Sequence, residues 1–158
     1  MNKNKYIISI IFLCQVQFGF AQKNADAELT YMAFFQDLGE SDYINSPNLV
    51  GVGCQNRRIE GFTIKSNKNI RYKAVFERIG ETEWFNVGEY CGSKENKDAL
   101  LAFWVELQGE DANKYDILYR ADLQGTGMTN LIKNGQKCGE NKEHRRRIRG
   151  FSIEIRTK

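Results

Sequence analysis

Thiols, a lone imidazole and recurring carboxylates are the side chains in this sequence that could do chemistry. Cys54, Cys91 and Cys138 each stand three residues after a glycine, at Gly51, Gly88 and Gly135. Such regularity admits three readings. The thiols could be small buried hydrophobes at equivalent positions, one disulfide with a thiol left over, or three thiolates on a metal. The last has no CxxC spacing and no nearby histidine behind it. The single histidine, His144, lies inside "HRRRIR", an arginine-rich setting that makes it a poor base or metal ligand. Glu40 and Glu81 recur at matched positions, and two acids can hydrolyse a glycosidic bond. Matched loop acids more commonly serve solubility. With no GxSxG, HExxH, P-loop or dinucleotide fingerprint, the expectation is no catalytic activity, no metal and no cofactor.

The elements that must position these residues come from an internal repeat. Tyr31, Ala33 and Gly39 in "YMAFFQDLG" match Tyr72, Ala74 and Gly80 in "YKAVFERIG", and both match Tyr119, Ala121 and Gly127 in "YRADLQGTG". Four residues after the glycine come Tyr43, Trp84 and Leu131. A second glycine and the cysteine follow, and each copy closes on "IEGFTIK", "LLAFWVE" or "IRGFSIE", with Phe62, Phe103 and Phe151 equivalent.

Period-two alternation of Tyr and Ala, rich in β-branched and aromatic neighbours, predicts strands in every copy. Gly, Asn and Ser clusters between them predict turns. "NKDALLAFWVELQGED" has helix-forming residues, yet its sister segments read as strands and it is assigned likewise. One such unit cannot bury its apolar face alone. The expected fold is therefore all-β, a single pseudo-threefold domain over residues 28–156, with copies at 28–66, 69–108 and 115–156. A β-prism with one small sheet per copy is the leading architecture, and a β-trefoil the alternative.

Residues 1–21 read as a secretory signal peptide: the basic "MNKNK", the apolar "YIISIIFLC", then "GFA" before Gln22. Its apolar centre is too short for a membrane span, so an extracellular or periplasmic location is expected. Removing Lys3 and Lys5 leaves 21 basic residues against 20 acidic ones. That near-neutral balance gives no general drive toward nucleic acid or an anionic membrane. The one concentrated basic run, His144 to Arg149, reads as a strand start with outward arginines, or alternatively as a contact for a sulfated or phosphorylated glycan.

The run "ELQGEDANKYDILYRADLQGTGMTNLIKNGQKCG", followed by "RRIRGFSIEI", resembles the clostridial hydrophobic repeats with a signature Trp, the ChW repeats. The likeness extends over about residues 28 to 156. It implies a non-catalytic extracellular binding or adhesion role. The family's Gln after the first strand is kept at Gln36 and Gln124 and is Glu77 in the middle copy. Its signature Trp is replaced by Glu40, Glu81 and Met128, and its first-strand His by Phe34, Val75 and Asp122.

Two functional classes fit. The first is an exported module that binds a carbohydrate or another cell-surface polymer through loops at the ends of the copies. Aromatic rings would stack on apolar sugar faces while amides and carboxylates take hydroxyls. The candidate residues are Tyr43, Trp84, Gln36, Gln124, Glu40 and Glu81. Tyr43 and Trp84 could equally be plugs beneath the loops, because the third matching position is held by Leu131, a residue type that plugs rather than stacks on sugars. The second class is a cell-envelope module that docks a protein and binds no small ligand.

Overall fold

The structure is a computed structural model that describes residues 27–51, 57–95, 97–140 and 144–158. The expected leader, its end near Gln22, and Cys54 lie outside the described residues.

Each copy is built on one long strand pair. The first contains β1 (Leu29–Phe35), β2 (Gly39–Glu40), β3 (Ile44–Asn45) and β4 (Ile59–Ser66). The second contains β5 (Ile70–Phe76), β6 (Gly80–Glu81), β7 (Phe85–Asn86), β8 (Cys91–Gly92) and β9 (Leu100–Leu107). After α1 (Gly109–Lys114), the third contains β10 (Tyr115–Leu123), β11 (Gly127–Met128), β12 (Ile132–Lys133), β13 (Cys138–Gly139) and β14 (Ile148–Thr157). "NKDALLAFWVELQGED" therefore divides. Its apolar part is strand β9, as expected, but Gly109–Lys114 turns into a short helix, with Glu110 and Asp111 in the first turn and Lys114 in the last, where the helix dipole favours them.

Among the described residues, three separate antiparallel sheets form, one on each long pair: β1 with β4, β5 with β9, and β10 with β14. The all-β expectation holds, and three distinct sheets rather than a closed barrel give the prism-like form. In each sheet the two short strands β2 and β3, or their equivalents, pair along the outer edge of the first long strand.

The opposite edge is covered by a neighbouring copy. β8 of the second copy pairs with β4 of the first, through Phe62↔Cys91 and Gly61↔Gly92. β13 of the third pairs with β9 of the second, through Phe103↔Cys138 and Ala102↔Gly139. The first copy closes the ring by bridging Val50 to Phe151 of the third. Cyclic exchange of short arms thus covers the edges that separate sheets would leave open.

Pairing register explains the repeated residue types. Phe62 lies between Ala33 and Cys91, Phe103 between Ala74 and Cys138, and Phe151 between Ala121 and Val50. A small residue on either side leaves room for one large ring per sheet. The three rings meet one another, with centroids 5.4 to 5.8 Å apart. Tyr72 packs on Phe62, Tyr119 on Phe103 and Tyr31 on Phe151, each tyrosine against the phenylalanine of the copy its own arm covers. Such aromatic pairs each contribute about 0.5–1.5 kcal/mol beyond burial.

The register also corrects the alignment of the cysteines. Val50 follows Tyr31 at the spacing by which Cys91 follows Tyr72 and Cys138 follows Tyr119, and it makes the equivalent bridge. The first copy's partner of these two cysteines is therefore Val50 rather than Cys54. Gly51 corresponds to Gly92 and Gly139, all three with positive φ, and Pro47 stands where Gly88 and Gly135 stand in the other copies.

Candidate functional site

Outward-facing residues of β5 and β9 build the most distinctive surface. On β5 the buried Tyr72 alternates with outward Arg71 and Lys73, and the register places Lys73 opposite Trp104 and Arg71 opposite Glu106. Trp84, just before β7, lies along the outer edge of β5. Lys73 Nζ sits 5.0 Å from the Trp84 ring centroid and 4.8 Å from that of Trp104, and the Arg71 guanidinium lies 4.4 Å from Trp84. Lys137, from the arm that pairs with β9, also lies over Trp104, at 5.6 Å from its ring centroid. The chain's two tryptophans therefore share one sheet face, joined by a cation, and both are half-buried.

Polar groups frame the indoles. Glu81 binds Lys73, and Glu106 accepts from Arg71 Nε and from Gln108 Nε2. Such a surface sets two half-buried indoles beside carboxylate, amide and cationic groups, side-chain types that can meet the apolar face and the hydroxyls of a sugar ring.

The six candidate residues do not converge. Gln36, Glu40 and Tyr43 belong to the first copy, Glu81 and Trp84 to the second, and Gln124 to the third. Glu40, Glu81 and Met128 hold equivalent places on three different sheets, opposite Phe34, Val75 and Asp122. Glu40 is paired with Lys94, which also lies over the rings of Phe34 and Tyr90. Tyr43 is exposed, with Lys65 Nζ 3.9 Å from its ring centroid. Gln36 and Gln124 begin equivalent turns, and their backbone amides bond to Arg58 and Arg147 carbonyls. Only Glu81 and Trp84 fall together on the two-tryptophan face.

Trp104 completes that face and was not among the expected site residues. Its equivalents are the buried Thr63 and Ser152, so the tryptophan pair belongs to the second copy alone. The available signal was the single Trp in an alternating strand whose neighbours Phe103 and Val105 face the core.

Ser41, Thr82 and Thr129, two residues after the first glycine, form another repeated set. Each hydroxyl accepts the amide of the repeated alanine at 3.1 Å and donates to the next residue's carbonyl. These hydroxyls satisfy the backbone where the short strand leaves the sheet.

Cys91 and Cys138 are free, fully buried thiols. Burial pushes Cys91 up to about 12 and Cys138 up to about 11, so neither is a ready nucleophile or metal ligand near neutral pH. Thr82 and Thr129 hydroxyls lie 3.9 and 3.7 Å from the sulfurs. Among the described residues, no His, Cys, Asp and Glu group could hold a metal ion.

The arginine run forms ion pairs within the molecule. Arg145 and Arg147 reach Glu77 of the second copy, Arg146 pairs with Glu140, and Arg149 with Asp122. Among the described residues, no helix is long and apolar enough to cross a membrane.

The chain matches no protein-family model, no curated protein and no solved structure.

Proposed function

We propose that the mature chain is an exported, non-catalytic module that binds a carbohydrate or another cell-surface polymer through the outer face of β5 and β9. The observation that carries this reading is the placement of Trp84 and Trp104 on one face around Lys73. Indole faces contribute stacking area, while Glu81, Glu106, Gln108 and Lys137 take hydroxyls along the rim. The ChW likeness supports the same class, although its signature Trp is not the source of either indole. Glu81 and Glu106 are each paired with a cation on the same surface, an arrangement suited to holding hydroxyls rather than to placing two acids across a scissile bond.

A glycan array with the mature protein tests the reading, alongside Trp84→Ala, Trp104→Ala and Tyr43→Ala variants. Binding is expected to be lost in the two tryptophan variants and kept in Tyr43→Ala. Failure to bind any glycan, or binding untouched by both tryptophan substitutions, would defeat it.

A second reading has its own observation. Leu38 and Ile79, 57% and 46% exposed, stand at the tips of equivalent turns in the first and second copies. Apolar tips repeated on neighbouring copies suit a protein partner, and an array without hits would shift the proposal to that cell-envelope docking role.

A further inference from the structure

The three copies meet around a polar pocket of about 510 Å³ that shares no residue with the tryptophan face. The first copy supplies Arg58, the third Arg147, and the second Glu77, Arg78, Glu95, Lys97 and Asp98. Arg58 and Arg147 are equivalent, because each carbonyl accepts the amide of the residue that follows the first long strand. In the second copy that acceptor is Ala99. At this equivalent position the first and third copies therefore carry an arginine and the second an alanine.

Four cations and three carboxylates line the pocket, and one of the carboxylates is held by backbone amides. Asp98 is buried and accepts the backbone amides of Arg78, Ile79 and Ala99 at 2.8 to 3.0 Å. Arg58 commits Nε and Nη2 to Glu60, which leaves Nη1 uncommitted among the described residues. Arg147 makes one long contact to Glu77, at 3.3 Å. Arg78 has a side chain 65% exposed and 3.8 Å from Asp98, and Lys97 has no carboxylate partner among the described residues. Arg58, Arg78 and Arg147 thus line one pocket with guanidinium nitrogens left over from their contacts to Glu60, the Lys97 carbonyl and Glu77, and such groups take an oxyanion by paired hydrogen bonds.

We infer that this junction pocket binds an oxyanion, the sulfate or carboxylate group of an acidic sugar-sized ligand. Its volume suits a monosaccharide rather than a bare ion alone.

Amide-resolved NMR titrations of the mature protein with inorganic sulfate, glucuronate and glucose test the inference. Saturable shifts at residues 77–79, 97–99 and 147 are expected with sulfate and glucuronate and not with glucose. Tighter binding of glucuronate would assign the sugar body to the pocket as well, and equal binding would assign the oxyanion alone. Arg147→Gln is expected to weaken both by about 10-fold. Lys97→Glu, an exposed change that leaves the copy junction intact, provides the same test if Arg147→Gln melts early. Absence of saturable shifts with both anions, equal response to glucose, or anion binding unchanged in a folded Lys97→Glu and a folded Arg147→Gln would overturn it. Trp104→Ala leaves these shifts in place, so failure here is separable from failure of the tryptophan face.

Discussion

Val50 is bridged to Phe151, and this bridge does for the first and last copies what Cys91 with Phe62 and Cys138 with Phe103 do for the other two junctions. Each copy hands a short arm to a neighbour, so the core is shared among copies. Its energetics should follow the ring closure rather than the individual unit.

Phe151→Ala should cost about 3–5 kcal/mol, since it empties the shared aromatic centre. Val50→Cys converts the first arm to the residue found in the other two and should cost less than about 1.5 kcal/mol. Urea denaturation of both variants checks the contrast, and a mild Phe151→Ala would argue against a shared core.

Two kinds of glycine should respond differently. A Cβ on Gly92 would meet the Glu60 carbonyl at 2.6 Å, and one on Gly139 the Leu101 carbonyl at 2.3 Å, both across the arm junctions and at positive φ. Gly88 also has positive φ, but nothing lies within 4 Å of its would-be Cβ. Gly88→Ala should therefore lose only the conformational term, about 1–2 kcal/mol, while Gly92→Ala and Gly139→Ala should lose clearly more. Thermal melts of the three variants decide it.

The tyrosines should prove to be junction pins. Tyr72 donates to the Glu89 carbonyl in its own copy and accepts the Ile64 amide of the preceding one, and Tyr31 does the same with Asn48 and Ile153. Tyr72→Phe leaves the Glu89 carbonyl and the buried Ile64 amide without this partner and should cost about 1–3 kcal/mol, measurable by denaturation at pH 7.

The buried thiols link stability to alkaline pH. Cys91 and Cys138 ionise at about 12 and about 11 in the fold against an ordinary 9.0, so the unfolded chain loses these protons first. Their contribution is intact below pH 9 and is lost as pH rises toward the folded values. In a Cys54→Ser background, neither thiol should react with a thiol reagent at pH 8 until denaturant is added. Rapid labelling of the native protein would contradict their burial.

The sequence made the strands legible because Tyr, Ala and Phe repeat at a fixed spacing and alternate with outward polar residues. It could not show which closing strand each arm pairs with, since spacing is silent about partners. Glycines misled the cysteine alignment: the first copy has Pro47 at one glycine position, so Gly51 was matched with Gly88 and Gly135 instead of Gly92 and Gly139. Trp84 and Glu81 were legible as candidates from the repeat. Trp104 was not, because it breaks the repeat, and matching copies favours what they share over what one of them adds.

The chain's two tryptophans both lie on the proposed binding face, so intrinsic tryptophan fluorescence reads that face alone. Titration of the mature protein with the glycans selected on the array should give a saturable emission change. In Trp104→Ala, where Trp84 still emits, affinity should fall about 10-fold or more. Glycan binding detected by calorimetry with no change in emission, or with unaltered affinity in Trp104→Ala, would contradict the account.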